Sequence, residues 1–226
     1  MVLSTFDKCE WNGDIQMDYP FDAETTIYSL KVVGSCNGLV CLIYIFNGDL
    51  IRSKDDRICI WNPTTREYKE VSLPPYDSLV KEDCYNIRYG FGYDSATDNY
   101  KVVRISGHRK SPNCLKMQVY ALGSDSWEYI DDSISYSFND FRSTCTSFGL
   151  FFHGALHWIG KSRKTSSDVI VTFGISNERL MDMPSIEKSI GGWGGLDKEV
   201  GLLGDCLSLA VAVIFARLDV WVMKEY

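Results

Sequence analysis

The chain has 226 residues, 45% hydrophobic and 23% charged, with a formal net charge of -7, the composition of an ordinary soluble domain long enough to bury a sizeable core. The acidic balance excludes a general nucleic-acid binder, which needs a basic surface to neutralise phosphates. The longest apolar run, Leu207–Ala216, is too short to span a bilayer and reads as a buried strand, so no membrane insertion is expected.

Residues 1–29 read as an N-terminal segment, an edge strand or a loop. From residue 30 onward a pattern of short strand-like runs recurs four times. The first copy has Leu30–Cys36 and Gly38–Ile43 around Asn37-Gly38, a strong hairpin signal. Ile58–Trp61 follows, then a turn at Asn62-Pro63-Thr64-Thr65-Arg66 and a last run at Tyr68–Val71. The second copy has Tyr89–Tyr93, a polar turn at 94–99, Tyr100–Ile105, Met117–Tyr120, a turn at 123–126 and Trp127–Ile130. Its Tyr89-Gly90-Phe91-Gly92-Tyr93 alternates large and bare positions, which suits an inner strand where neighbouring backbones approach closely. The third has Phe148–His153, Ala155–Ile159, Val169–Phe173 and Leu180–Met183. The fourth has Val200–Leu203, Cys206–Val211 and Leu218–Val222. Trp61, Tyr120, Phe173 and Trp221 hold equivalent places, about 50 residues apart, which is the period of a kelch-like propeller blade. No run has the three-and-four apolar spacing of a long helix. The expected fold is all-β, a propeller arc of about four four-stranded repeats with the last incomplete.

In an up-and-down blade, the connections between strands one–two and three–four share one face of the disc. Those between two–three, and those crossing to the next blade, share the other. The second set reads as long loops, at 46–57, 72–88, 106–116, 131–147, 160–168 and 184–199, and function on rigid scaffolds gathers on such loops. The strand two–three loops carry Arg52, Lys54 and Arg57, then His108, Arg109 and Lys110, then Lys161, Arg163 and Lys164. These nine side chains form a basic band on an acidic protein and are the candidate contacts for an acidic patch on a protein partner; the plainer alternative is solvated loop charge. Trp193, flanked by glycines at 191, 192, 194 and 195, is either a partner anchor or a plug within the arc. Trp61, Trp127, Trp158 and Trp221 stand on strands and are expected in the core.

Catalytic and metal chemistry find little support. The chain has three histidines and eight cysteines, without a Cys-x-x-Cys pair or zinc-type ligand spacing. His153 and His157 bracket a hairpin glycine rather than share a helix face. Cys36, Cys41, Cys59, Cys145 and Cys206 sit among strand residues, as small buried hydrophobes in a reducing compartment do. Asp94 and Asp98 fall in a turn that explains them. No nucleophile elbow or phosphate loop occurs, so neither enzymatic activity nor a cofactor is expected. With no secretory leader pattern, the expected location is cytoplasm or nucleus.

The motifs resemble the plant F-box-associated domain of type 1, the kelch-like C-terminal half of many plant F-box proteins. The resemblance rests on Gly34-Ser35-Cys36-Asn37-Gly38-Leu39-Val40-Cys41-Leu42, Trp61-Asn62-Pro63-Thr64-Thr65-Arg66, Gly90-Phe91-Gly92-Tyr93-Asp94 with Asp98–Arg104, Asp125-Ser126-Trp127, Gly154–Trp158 and Asp219–Tyr226. It implies a substrate-recognition domain of a cullin-type ubiquitin-ligase receptor that captures a target protein. The Skp-type adaptor and cullin would be reached only by a form carrying the F-box, which residues 1–29 do not contain. A non-degradative propeller scaffold, a truncated or pseudogene product and, more remotely, a propeller enzyme are the alternatives. Four repeats without a closing strand also predict an open arc with uncovered sheet faces.

Overall fold

The computed structural model describes residues 29–45, 57–72, 74, 84–108, 111–130, 134–138, 148–183, 197–213 and 217–224. Regular structure among them is strand, and they include no helix long and apolar enough to cross a membrane. Blade 1 is an antiparallel sheet of β1 (Ser29–Cys36), β2 (Leu39–Ile45), β3 (Arg57–Trp61) and β4 (Tyr68–Val71), paired in that order. Blade 2 repeats it with β5 (Cys84–Asp94), β6 (Asn99–His108), β7 (Ser111–Ala121) and β8 (Ser126–Ile130). After a two-residue strand β9 (Tyr136–Ser137), blade 3 is built from β10 (Phe148–Phe152), β11 (Ala155–Ser162), β12 (Asp168–Gly174) and β13 (Arg179–Asp182). Blade 4 pairs β14 (Asp197–Leu203), β15 (Cys206–Val213) and β16 (Arg217–Val222). The arc of propeller blades follows the order read from the sequence.

The tight turns explain this regularity. Asn37-Gly38 and His153-Gly154 both have consecutive positive φ angles, 48° and 83°, then 46° and 74°. That backbone matches the right-handed twist of the strands it joins, and glycine takes the second position without a Cβ penalty. At the strand three–four turn of blade 1, the Asn62 side-chain oxygen accepts from the Thr64 and Thr65 amides at 3.0 and 3.3 Å, while Pro63 stops the ladder.

Blades pack face to face. Cys41, Ile43, Ile58 and Ile60 of blade 1 meet Tyr89, Phe91, Val102 and Tyr120 of blade 2 in one buried cluster. On the other side of blade 2, Val103, Ile105, Met117 and Val119 meet Leu156, Trp158, Val171 and Phe173 of blade 3. Each such fully buried side chain contributes roughly 1.5–3 kcal/mol. Glycines bring these two blades unusually close. A Cβ on Gly90 of blade 2 would lie 2.7 Å from Leu156 and 2.8 Å from the Trp158 ring of blade 3. The inner strands β5 and β10 therefore pair in parallel, Phe148 with Tyr89 and Gly149 with Gly90, joining both blades in one sheet. The bare positions of the Tyr-Gly-Phe-Gly-Tyr run do what an inner strand requires of them.

Three expectations are corrected. The segments 106–116 and 160–168 are not long loops: β6 and β7 continue to His108 and from Ser111, and β11 runs to Ser162. A bulge at Gly107/His108 absorbs residues 112–114, so Pro112 costs no ladder bond, as at other strand irregularities. The crossing segment 131–147 is not wholly loop either. Ile134, Tyr136 and Phe138 are buried in the blade 2–3 core, because Ile134-Ser135-Tyr136-Ser137-Phe138 alternates like a strand and its apolar face fits there. Finally, of the four tryptophans assigned to the core, only Trp158 is fully buried. Trp61, Trp127 and Trp221 are half-buried on third and fourth strands, nearer the rim.

Candidate functional site

The two faces of the arc use their polar groups differently. On the short-turn face they bind blades to one another. Asp94, fully buried, accepts from Ser176 at 2.5 Å, Thr97 at 2.8 Å and the Ala96 amide at 3.0 Å. Lys101 lies 2.9 Å from it and donates to Glu178 at 2.8 Å and to the Ile175 carbonyl at 3.1 Å. Burial alone would push the Asp94 carboxyl up, but the bonds from Ser176, Lys101, Thr97 and Ala96 outweigh it and hold the group well below the usual carboxylate range. Burial likewise opposes the Lys101 charge, and its bonds to Glu178 and Asp94 restore it, leaving the ammonium pKa raised. Between blades 1 and 2, Lys69 pairs with Asp125 at 2.8 Å, Tyr120 donates to Asp125 at 2.5 Å and the Trp127 indole donates to the Ser72 carbonyl at 2.6 Å. These groups are committed to the fold.

The opposite face holds the candidate contacts. Arg57 opens β3 with its side chain 58% exposed, and it pairs with Glu70 at 3.3 Å. Glu70 also accepts from the Tyr44 hydroxyl at 2.9 Å; burial first, then this carboxylate, push the Tyr44 phenol up. Lys161, near the end of β11, lies 4.0 Å from Asp168, which is paired more closely with Lys198 of blade 4. Arg163 is half-buried, its amide bonded to the Ser135 carbonyl at 2.9 Å, and Lys164 is exposed beside it in the same turn. The backbone of His108 ends β6 opposite Ser111. Arg52, Lys54, Arg109, Lys110 and Trp193 lie outside the described residues. The fold thus gathers Lys161, Arg163 and Lys164 at one turn and puts Arg57 and His108 at the equivalent ends of blades 1 and 2.

Beneath this face are groups that sequence reasoning missed. Arg88 and Arg104 are buried on β5 and β6. Arg104 donates to the Gln118 side-chain oxygen at 2.7 Å, and Arg88 to the Phe138 carbonyl at 3.0 Å. The available signal was a single arginine inside each apolar strand run, where a charge has to be compensated. Among the described residues no three histidine, cysteine or acidic side chains come together as a metal site. Cys41 and Cys59 are buried free thiols, Cys59 pushed up to about 12 by burial and then by the Glu70 charge. Such thiols are unreactive packing groups.

The F-box associated beta propeller domain family matches residues 10–226. The chain belongs to this family. Its relatives include F-box/kelch-repeat protein At3g23880 of Arabidopsis thaliana, 30% identical over 196 residues. F-box protein CPR1 of the same plant is 29% identical over 214 residues. Each alignment covers 87% of this chain and 49% of the relative, so the chain spans about half the length of the curated relatives it matches.

Proposed function

We propose that the chain is the target-capturing domain of a substrate receptor for a cullin-type ubiquitin ligase, acting in the cytoplasm or nucleus without catalysing chemistry itself. The family match over residues 10–226, together with relatives that are F-box proteins, carries this reading. A Skp-type adaptor and cullin would be engaged by a form that also bears an F-box. The target would dock on the face opposite the inter-blade latches, against Arg52, Lys54, Arg57, His108, Arg109, Lys110, Lys161, Arg163 and Lys164, with Trp193 as an anchor. The exposed Lys164 beside Arg163 supports an acidic partner surface, since interspersed cations steer and orient such a partner more than they add affinity.

The test joins this chain to the F-box of the Arabidopsis F-box/kelch-repeat relative and follows protein half-lives in plant cells. A distinct set of proteins should turn over faster, and changing Arg109, Lys110, Arg163 and Lys164 together to glutamate should remove most of that effect. Turnover indifferent to the charge reversal would refute the docking face. Turnover indifferent to the presence of the domain would refute the receptor reading.

A further inference from the structure

Arg88 occupies a place that an aliphatic side chain would fill more cheaply. Its cross-strand row continues through Ile105, Met117 and Ile130, and Ile105 and Met117 are essentially fully buried. The Arg88 residue is itself only 5% exposed, and burying a guanidinium costs less for each of its donors that finds an acceptor. One donor goes to the carbonyl of Phe138 at 3.0 Å. That carbonyl lies just past the end of β9, so no strand ladder continues to serve it, and a buried carbonyl without a partner is costly. The segment it belongs to is short and depends on its neighbours. Ser137 and Tyr136 pair with Lys161 and Ser162 of β11, and the Ser135 carbonyl accepts from the Arg163 amide at 2.9 Å. Ser166 and Ser162 bond back across the same turn, with Ser166 N to Ser162 O and Ser162 N to Ser167 O both 2.8 Å.

We propose that Arg88 is a positioning residue for the receptor face: by holding the Phe138 carbonyl it seats residues 134–138 in the blade 2–3 junction, and through them fixes the turn that presents Arg163 and Lys164. The functional meaning of that turn rests on the receptor reading above, but the anchor can be read with no target present. Arginine suits the task because its stem packs along the aliphatic row while its planar head reaches an acceptor on another segment.

Amide hydrogen exchange of the intact chain tests it. In Arg88→Met, which keeps the stem and removes the donors, amides in 134–138 and 160–167 should exchange about tenfold faster, the effect of one ordinary hydrogen bond. Amides of β7 and β12 should keep their protection. Arg88→Lys, which retains a donor, should restore much of the difference. If Arg88→Met does not fold, Arg88→Gln is neutral and too short to reach, and it should show the same two-segment loss. Unchanged exchange in 134–138 and 160–167, loss spread evenly over blades 2 and 3, or a lysine variant no better than methionine would each overturn the assignment. A positive result beside a failed turnover experiment would leave the anchor standing and remove only its role in target capture.

Discussion

Blades 2 and 3 meet through interlocking buried side chains, parallel pairing of their inner strands and a buried Asp94–Lys101–Glu178 cluster. Blades 3 and 4 meet through Ile170, Leu209 and Val211, with Ile159, Met183, Val200 and Trp221 only partly buried, and through the Lys198–Asp168 ion pair. In that second junction the Thr172 hydroxyl and the Trp221 indole nitrogen are buried without a hydrogen-bond partner among the described residues. The far side of blade 4 is apolar and exposed among the described residues: Leu218, Val220 and Val222 alternate along β16 and are 63%, 47% and 41% exposed. Among the described residues, the same strand pattern therefore yields an extensive junction in one place and a smaller one in the other. The difference comes from what each strand faces, because a blade has two apolar sides and needs a neighbour on both. The Arg163–Lys164 turn sits on the blade 2–3 junction, which β9 completes.

The largest effect should come from Trp158, which is fully buried and packs where Gly149 leaves room for its ring. Trp158→Ala should cost about 3–5 kcal/mol and lower the urea midpoint of the main transition. Leu209→Ala, at the blade 3–4 junction, should cost about 2 kcal/mol and speed hydrogen exchange in β14–β16 while β5–β8 stay protected. Equal, global effects from both substitutions would mean that the two junctions belong to one cooperative unit, and the contrast between them would fail.

The polar half of the strong junction comes next. Lys101→Met removes the cation beside buried Asp94 and should cost about 3 kcal/mol, because an uncompensated buried carboxylate is left behind. Adding Asp94→Asn should recover most of the loss, since the carboxylate that remains, Glu178, is partly exposed to solvent. A double variant as unstable as the single one would show that Lys101 matters for packing rather than for charge.

Much of this contrast could be read from the sequence, and its limits have physical causes. Asn37-Gly38 and His153-Gly154 announce their hairpins because few residue pairs adopt two positive φ angles. The alternation in Tyr89–Tyr93 identifies an inner strand because only glycine permits the approach to Leu156 and Phe151. Gly107, Pro112 and Asn113, by contrast, look like loop chemistry, and only the partner strand shows that a bulge takes up the irregularity. Residues 134–138 are too short for their alternation to stand out, and their burial depends on a cavity supplied by two blades. A band of cations is expected from topology, yet sequence alone does not show that Arg57 and Lys161 already face Glu70 and Asp168. Long-range pairing of this kind is set by packing, which local pattern does not report.

The smallest effect is also the most selective probe of the weaker junction. Leu156 and Trp158 point into the blade 2–3 core, so strand alternation turns His157 to the opposite side with Ile159, towards blade 4. His157 is buried, with its Nδ1 3.1 Å from the Leu150 carbonyl. Burial lowers its pKa most, the Leu150 bond partly opposes this, and His153 lowers it further, so the folded value lies below the ordinary 6.5. Below pH 6.5 the unfolded chain then binds the proton more readily than the folded chain does. Stability should fall as pH drops through 6.5 and level off once the folded imidazole also titrates. Asp94 cannot contribute in that window, because its depressed pKa puts any loss below 3.8. Urea midpoints between pH 8 and 5 should therefore decline in the native chain and decline less in His157→Gln. Parallel curves would mean that the imidazole is not held neutral, and that blade 4 covers β11 less than its packed residues indicate.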